Sequence, residues 1–274
     1  PAERAPRNLR AFLSLEDFER AARRRLPRML HGFISGACET DASLRDNRDA
    51  FAEWGFVPRA LVDTSNRGTV TELLGRRYAA PFGIAPMGAS ALSAYRGDLV
   101  FARAAAAAAL PMILSASSLI PMEEVRAEGP PAWYQAYLPG DPDRIEPLVD
   151  RVAAAGFDTF VLTVDVPVSA NRENNVRNGY SLPLRPTPGL AWQGVTHPRW
   201  LFGTALRTLV NHGMPHFENM DAYRGPPVLS RDLQRAFGQR DGLPAAARQR
   251  VRRAALVEQQ PAVGGDRQAR LAQR

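Results

Sequence analysis

The sequence is short of several things, and each shortage closes a class of explanation. One cysteine in 274 residues, Cys38, excludes an internal disulfide framework and a cysteine-built zinc site. No apolar stretch approaches the roughly 20 residues of a membrane span; the longest candidate, residues 99–119, is broken by Arg103 and Pro111. Pro1–Arg10 hold three Arg with no apolar run behind them, so no signal peptide is expected. Lysine is absent, and all 35 basic residues are Arg. Aromatic residues also cease after Phe237.

The net charge of +7 is unevenly spread. Residues 231–274 carry ten Arg against four acids, which leaves only +1 for the rest. That tail has no interleaved aromatics and no nucleic-acid motif, so no nucleic-acid partner is expected. Apolar content of 45% and charged content of 23% are those of an ordinary soluble globular protein. A cytoplasmic location follows, with peripheral placement on the inner membrane as the alternative.

Ser14-Leu15-Glu16-Asp17 reads as a capped helix start. Pro27 opens a second helix toward Phe33, and Gly36 closes it. Residues 57–80 read as short strands around Gly68 and Gly75. From residue 80 a unit repeats. Strands are expected at Phe82–Met87, Met112–Ser115, Ala132–Leu138 and Phe160–Val164, with helices at Asp98–Ala109, Met122–Glu128 and Arg144–Ala155 between them. Alternation at this spacing argues βαβ units and a parallel sheet or barrel. Residues 177–224 read as one long irregular segment, with Pro183, Pro186, Pro188 and Pro198 and with Trp192, Trp200 and Phe202. Loops of that length are usually functional or disordered. The composition suits a membrane-surface contact, and an excursion packed on its own domain suits it equally.

The strand ends carry the chemistry. Phe160–Val164 runs into Asp165, and Pro167 stops continuation. A carboxylate at the carboxyl end of a buried parallel strand sits where α/β folds place their sites. Thr163 and Arg172 bring a hydroxyl and a permanent cation to the same mouth. Taken singly, Ser115 and Thr163 would be strand-end hydroxyls satisfying backbone, Tyr137 a half-buried barrel tyrosine and Asp165 a turn cap.

Five ordered motifs carry a resemblance. They are Gly36-Ala37-Cys38-Glu39 with Leu44–Arg48, then Phe82–Gly88, Trp133-Tyr134-Gln135-Ala136-Tyr137, Leu162-Thr163-Val164-Asp165, and Arg172-Glu173 with Arg177-Asn178-Gly179. From roughly Leu15 to Gly242 the chain resembles the FMN-dependent α-hydroxy acid dehydrogenase and oxidase family. The resemblance implies an α/β TIM (β/α)8 barrel, FMN as cofactor, a small L-2-hydroxy acid as substrate, and a homo-oligomer for the intact family. No metal is implied. Ala85, Pro86 and Met87 match the strand-one turn against the flavin ring. Ser115, Gln135 and Thr163 match its polar contacts. Tyr137 matches the tyrosine that bonds the substrate oxygen, Arg172 the arginine facing its carboxylate, and Asp165 the acid that orients a catalytic histidine. Phe33 stands where the family commonly has a substrate-binding tyrosine, and its ring cannot donate a hydrogen bond.

The family's second-half features find no match. With no lysine, the group expected near the flavin N1/O2 edge is absent. His31, His197, His212 and His216 all lie outside a His-Gly-Gly-Arg run. A barrel takes about 30 residues per βα unit, so only four units are expected. The expected organisation is a helical segment with short strands at 1–80, half a barrel at 81–176, a loop-four excursion at 177–230 and an atypical tail at 231–274. Translation out of frame after about Gly242 is one expectation for that tail.

Overall fold

A computed structural model describes residues 9–129, 132–139, 141–164, 170–182 and 184–229. The tail expected at 231–274 lies outside the described residues, as does Asp165.

The chain opens with α1 (Leu15–Arg25) and α2 (Arg28–Ser35). At the start of α1, the Asp17 carboxylate accepts the Ser14 N–H at 3.0 Å, one half of the expected capping box. Pro27 and Gly36 bound α2 as expected. After α3 (Ala42–Asp49), strands β1 (Thr71–Leu73) and β2 (Arg76–Tyr78) form an antiparallel hairpin. Gly75, at φ 73°, sits in the turn between them.

The centre is a parallel sheet of β3 (Met112–Ser115), β4 (Ala132–Ala136) and β5 (Phe160–Leu162), in that order. Helices α4 (Gly97–Ala108), α5 (Met122–Ala127) and α6 (Ile145–Ala154) connect and cover them. The first expected strand is reduced to a single parallel bridge, Ile84 to Met112. Pro81 and Pro86 remove ladder donors on either side of it. Ile84 still donates to Pro111 O and accepts from Ile113 N, both at 2.9 Å. The sheet thus keeps the order of the first strands of a barrel, and among the described residues it remains open.

Register decides what each face carries. Leu114 opposes Tyr134, and Tyr134 opposes Phe160; Ser115 opposes Gln135, and Gln135 opposes Val161. Because side chains alternate along a strand, the first set points to the helix layer and the second to the opposite face. Leu114, Tyr134, Ala136 and Leu148 have no exposure, which places the core between sheet and helices.

Residues 177–224 differ most from the irregular segment expected. After α7 (Glu173–Asn178) come α8 (Pro188–Val195), α9 (Pro198–Trp200), a π-helical turn over Leu201–Leu206 and α10 (Arg207–His212). Pro188 and Pro198 sit in the first turns of their helices, where a missing N–H costs nothing, so residues read as breakers act as starters. The Thr187 hydroxyl caps α8 by accepting the Leu190 N–H at 3.1 Å. The segment packs on its own domain: Trp200 is buried and its indole donates to Leu92 O at 2.6 Å. Further on, fully buried Asn219 accepts from Met122 N and donates to Ile120 O, each at 2.8 Å.

Candidate active site

Three adjacent parallel strands end on three polar side chains that join. Gln135 Nε2 donates to Thr163 Oγ1 at 2.7 Å, and Ser115 Oγ donates to Gln135 Oε1 at 3.3 Å. Register makes this possible: Ser115 and Gln135 are paired, and Thr163 lies two residues beyond Val161, Gln135's partner on β5. Ser115 and Gln135 are buried while Thr163 is half-buried, so the row runs from the interior toward solvent. A buried amide held at both ends has a fixed orientation.

The strand-one turn closes onto this row. Ala89 N donates to Ser117 O at 2.9 Å, and Ser117 N donates to Ser115 Oγ at 3.2 Å. A Cβ on Gly88 would stand 3.0 Å from Ser117 Cβ and 3.9 Å from Ser115 Oγ. Glycine is therefore what lets Ala85, Pro86 and Met87 run beside the strand ends. Ala85 and Met87 are exposed and Pro86 is half-buried. Behind the row, Ser118 donates to Asp98 Oδ2 at 2.7 Å. Burial pushes the Asp98 carboxyl above the ordinary carboxylate range, partly offset by the hydrogen bond from Ser118.

Tyr137 lies one residue past β4, and its ring is 42% exposed, open to a ligand. Arg172 is exposed at the N-cap of α7, with its guanidinium 5.9 Å from the centroid of the Phe33 ring. Phe33 stacks on Tyr180 with centroids 4.2 Å apart. Two clusters therefore result: the Ser115–Gln135–Thr163 row, and an Arg172–Phe33–Tyr180 group where α2 meets α7. Among the described residues no hydrogen bond links Tyr137 to Arg172.

Tyr180 was not legible as a site residue from sequence. Its hydroxyl is enclosed without a hydrogen-bond partner, and burial raises its pKa against the field of Arg172. The only sequence signal is the preceding Asn178-Gly179: Gly179, at φ 72°, ends α7 and turns Tyr180 back onto Phe33.

A family model described as FMN-dependent dehydrogenase matches residues 22–253. The chain belongs to that family, whose fold is the TIM barrel. The match runs past Gly242 into the tail. A putative L-lactate dehydrogenase of Mycobacterium tuberculosis is 40% identical over 198 residues, 72% of this chain and 48% of that protein. The (S)-mandelate dehydrogenase of Pseudomonas putida is 33% identical over 210 residues, 76% of this chain and 52% of that protein. Among solved structures, the monotopic membrane protein (S)-mandelate dehydrogenase aligns with a TM-score of 0.68 at 29% identity, covering 91% of this chain and 60% of that one. The chain thus spans about half the length of the curated relatives it matches.

Proposed function

We propose that this chain supplies the flavin-facing half of a site that oxidises a small, lactate-like L-2-hydroxy acid to its 2-keto acid with reduction of FMN. The Ser115–Gln135–Thr163 row carries the reading. Its fit to a flavin edge is chemical. Gln135 keeps one Nε2 hydrogen beyond the one given to Thr163, and the Thr163 hydroxyl can turn its own hydrogen outward. Gly88 lets the backbone of residues 85–87 pack close to Ser117 beside the row, and the exposed Ala85 and Met87 are what a flat ring would meet. Bound FMN supplies the electron-accepting chemistry, and the protein binds and orients.

On the substrate side, Tyr137 donates its hydroxyl proton to a substrate oxygen and Arg172 pairs with the carboxylate. A guanidinium offers the planar donor pair that a carboxylate matches. Phe33 lines the pocket without bonding. Asp165 has the role of orienting a histidine base and stabilising its charged form. The four histidines of this chain are engaged elsewhere: His31 with Ser35, His197 with Gln193 O, His212 with Tyr95 and His216 with Met214 O. None of these contacts is with the Ser115–Gln135–Thr163 row, so no histidine of this chain is assigned as the base, and negligible turnover by this chain alone is expected.

Titrating FMN fluorescence against the purified chain tests the reading. Weak quenching is expected, and Gln135→Leu should weaken it about tenfold, the worth of one neutral hydrogen bond. Equal binding by both proteins overturns the flavin-facing assignment. Stoichiometric flavin with lactate-dependent bleaching overturns the half-site.

A second reading, an inactive half-barrel that self-associates or pairs with a complementary fragment, is favoured by the segment before β1. Phe51, Trp54, Phe56 and Leu61 are 82–106% exposed, far more apolar surface than a finished domain leaves open. Light scattering separates the two, since a monodisperse monomer speaks against pairing. The excursion also presents Trp192, Val195, Phe202 and Val210 to solvent, and Arg199 of the same excursion is exposed too. No helix among the described residues is long and apolar enough to cross a membrane. We therefore assign this face to peripheral contact with an anionic membrane surface. Cosedimentation with anionic vesicles, lost in Phe202→Ser, is expected; no cosedimentation removes the assignment.

A further inference from the structure

Helix α10 is fastened to the barrel body at one polar junction. Tyr95 Oη and His212 Nε2 lie 2.9 Å apart, and the Arg207 guanidinium stacks 4.0 Å from the centroid of the Tyr95 ring. Asn211 Nδ2 donates to the same phenol at 3.4 Å. From the neighbouring residue, Arg96 Nη1 stands 3.3 Å from His212 Nδ1 and 3.2 Å from Nε2. A guanidinium has only donors, so this contact is favourable while the imidazole keeps a lone pair and repulsive once it is protonated.

The surrounding charges offer no relief to an imidazolium. The second Arg96 nitrogen pairs with Glu124 in the first turn of α5. Arg224 pairs with Glu218 across the same cleft of about 170 Å³. His212 therefore faces the Arg96 cation, with Arg207 on the neighbouring Tyr95 ring, while both acids of the cleft are already committed. Partial enclosure, then the Arg96 charge, lowers the affinity of His212 for protons.

The approach to this junction is irregular. Leu201–Leu206 is a π-helical turn, and the hydroxyls of Thr204 and Thr208 are enclosed without hydrogen-bond partners. Such turns recur where helices do work. Upstream, the Trp200 indole fixes the segment to Leu92 O. A fixed anchor and an irregular turn thus lead to the terminal fastening of α10.

We propose that His212 is a proton-operated latch. Neutral, it holds α10 on the Tyr95–Arg96 loop; protonated, it releases the helix. The latched form binds fewer protons than the released one, so latching strengthens as pH rises. It is complete above the ordinary imidazole value of 6.5 and lost as pH falls through the lowered value of the latched form.

Hydrogen exchange of the full chain, corrected for intrinsic rates, reads this directly. Between about pH 8 and about pH 5, protection of amides 207–212 should fall roughly tenfold, while that of 145–154 stays constant. His212→Gln, which keeps an acceptor but cannot take a proton, should make protection independent of pH. Tyr95→Phe should leave the helix poorly protected at both pH values. Constant protection in the wild type, or a pH response that survives in His212→Gln, overturns the latch.

Discussion

Asn219→Ala should destabilise the protein more than any other single change in the segment that follows α10. The Asn219 side chain is fully enclosed, accepts from Met122 N at 2.8 Å and donates to Ile120 O at 2.8 Å. Its own carbonyl accepts the Tyr134 hydroxyl in the core. Nearby, Arg151 donates to Glu218 O at 2.8 Å and Asp221 O at 3.0 Å, and Arg144 pairs with Asp221. Truncation removes two buried hydrogen bonds, each worth about 1 kcal/mol net, and strands the Met122 N–H at about 1 kcal/mol or more, while Ile120 O keeps the Ser118 hydroxyl at 3.2 Å. The expected loss is about 3–4 kcal/mol. For a protein of this size that lowers the melting temperature by about 10 °C. Urea unfolding followed by circular dichroism, at unchanged m-value, measures it. A loss below about 1 kcal/mol would refute the claim that Asn219 locks this segment onto the loop that starts α5.

Two further changes probe the sheet and the support beneath the site. A Cβ at Gly83 would meet Pro111 O at 2.3 Å, so Gly83→Ala must push strand one off β3; a loss of about 2–3 kcal/mol is expected, and an unchanged melting temperature would contradict the close approach. Asp98 is buried with its pKa raised. The folded state therefore holds the proton more tightly than the unfolded one, and Asp98's contribution to stability declines as pH rises through the unfolded value of 3.8, reaching its lowest level above the raised folded value. Asp98→Asn should remove that decline and raise stability at neutral pH while keeping the Ser118 contact. Thermal melts of both proteins at acid and neutral pH check this, and a variant less stable than wild type at neutral pH would contradict it.

How much was legible in the sequence depended on what set each feature. Strands β3, β4 and β5 were legible because short runs rich in apolar and aromatic residues, bounded by turns, leave few alternatives. The resemblance singled out Ser115, Gln135 and Thr163 one by one as flavin contacts, but their hydrogen bonds to one another were not legible, since register is a tertiary property. Strand one was overcalled: its apolar run is genuine, but Pro81 and Pro86 leave one bridge of the ladder. The helices of residues 188–212 were missed because proline marks both a break and a helix start, and only the following residues decide which. Tyr180 was missed for a different reason. Its contact with Phe33 depends on the angle at which α7 meets α2, which no local pattern encodes.

The most direct test of the central claim is a two-dimensional NMR titration of the isotopically labelled chain with FMN. Progressive shifts are expected of the Gln135 side-chain amide, the Ser115 and Thr163 backbone amides and the Met87–Gly88 amides, all with one weak affinity. Shifts confined to residues outside these strand ends, or no shifts at all, would contradict it.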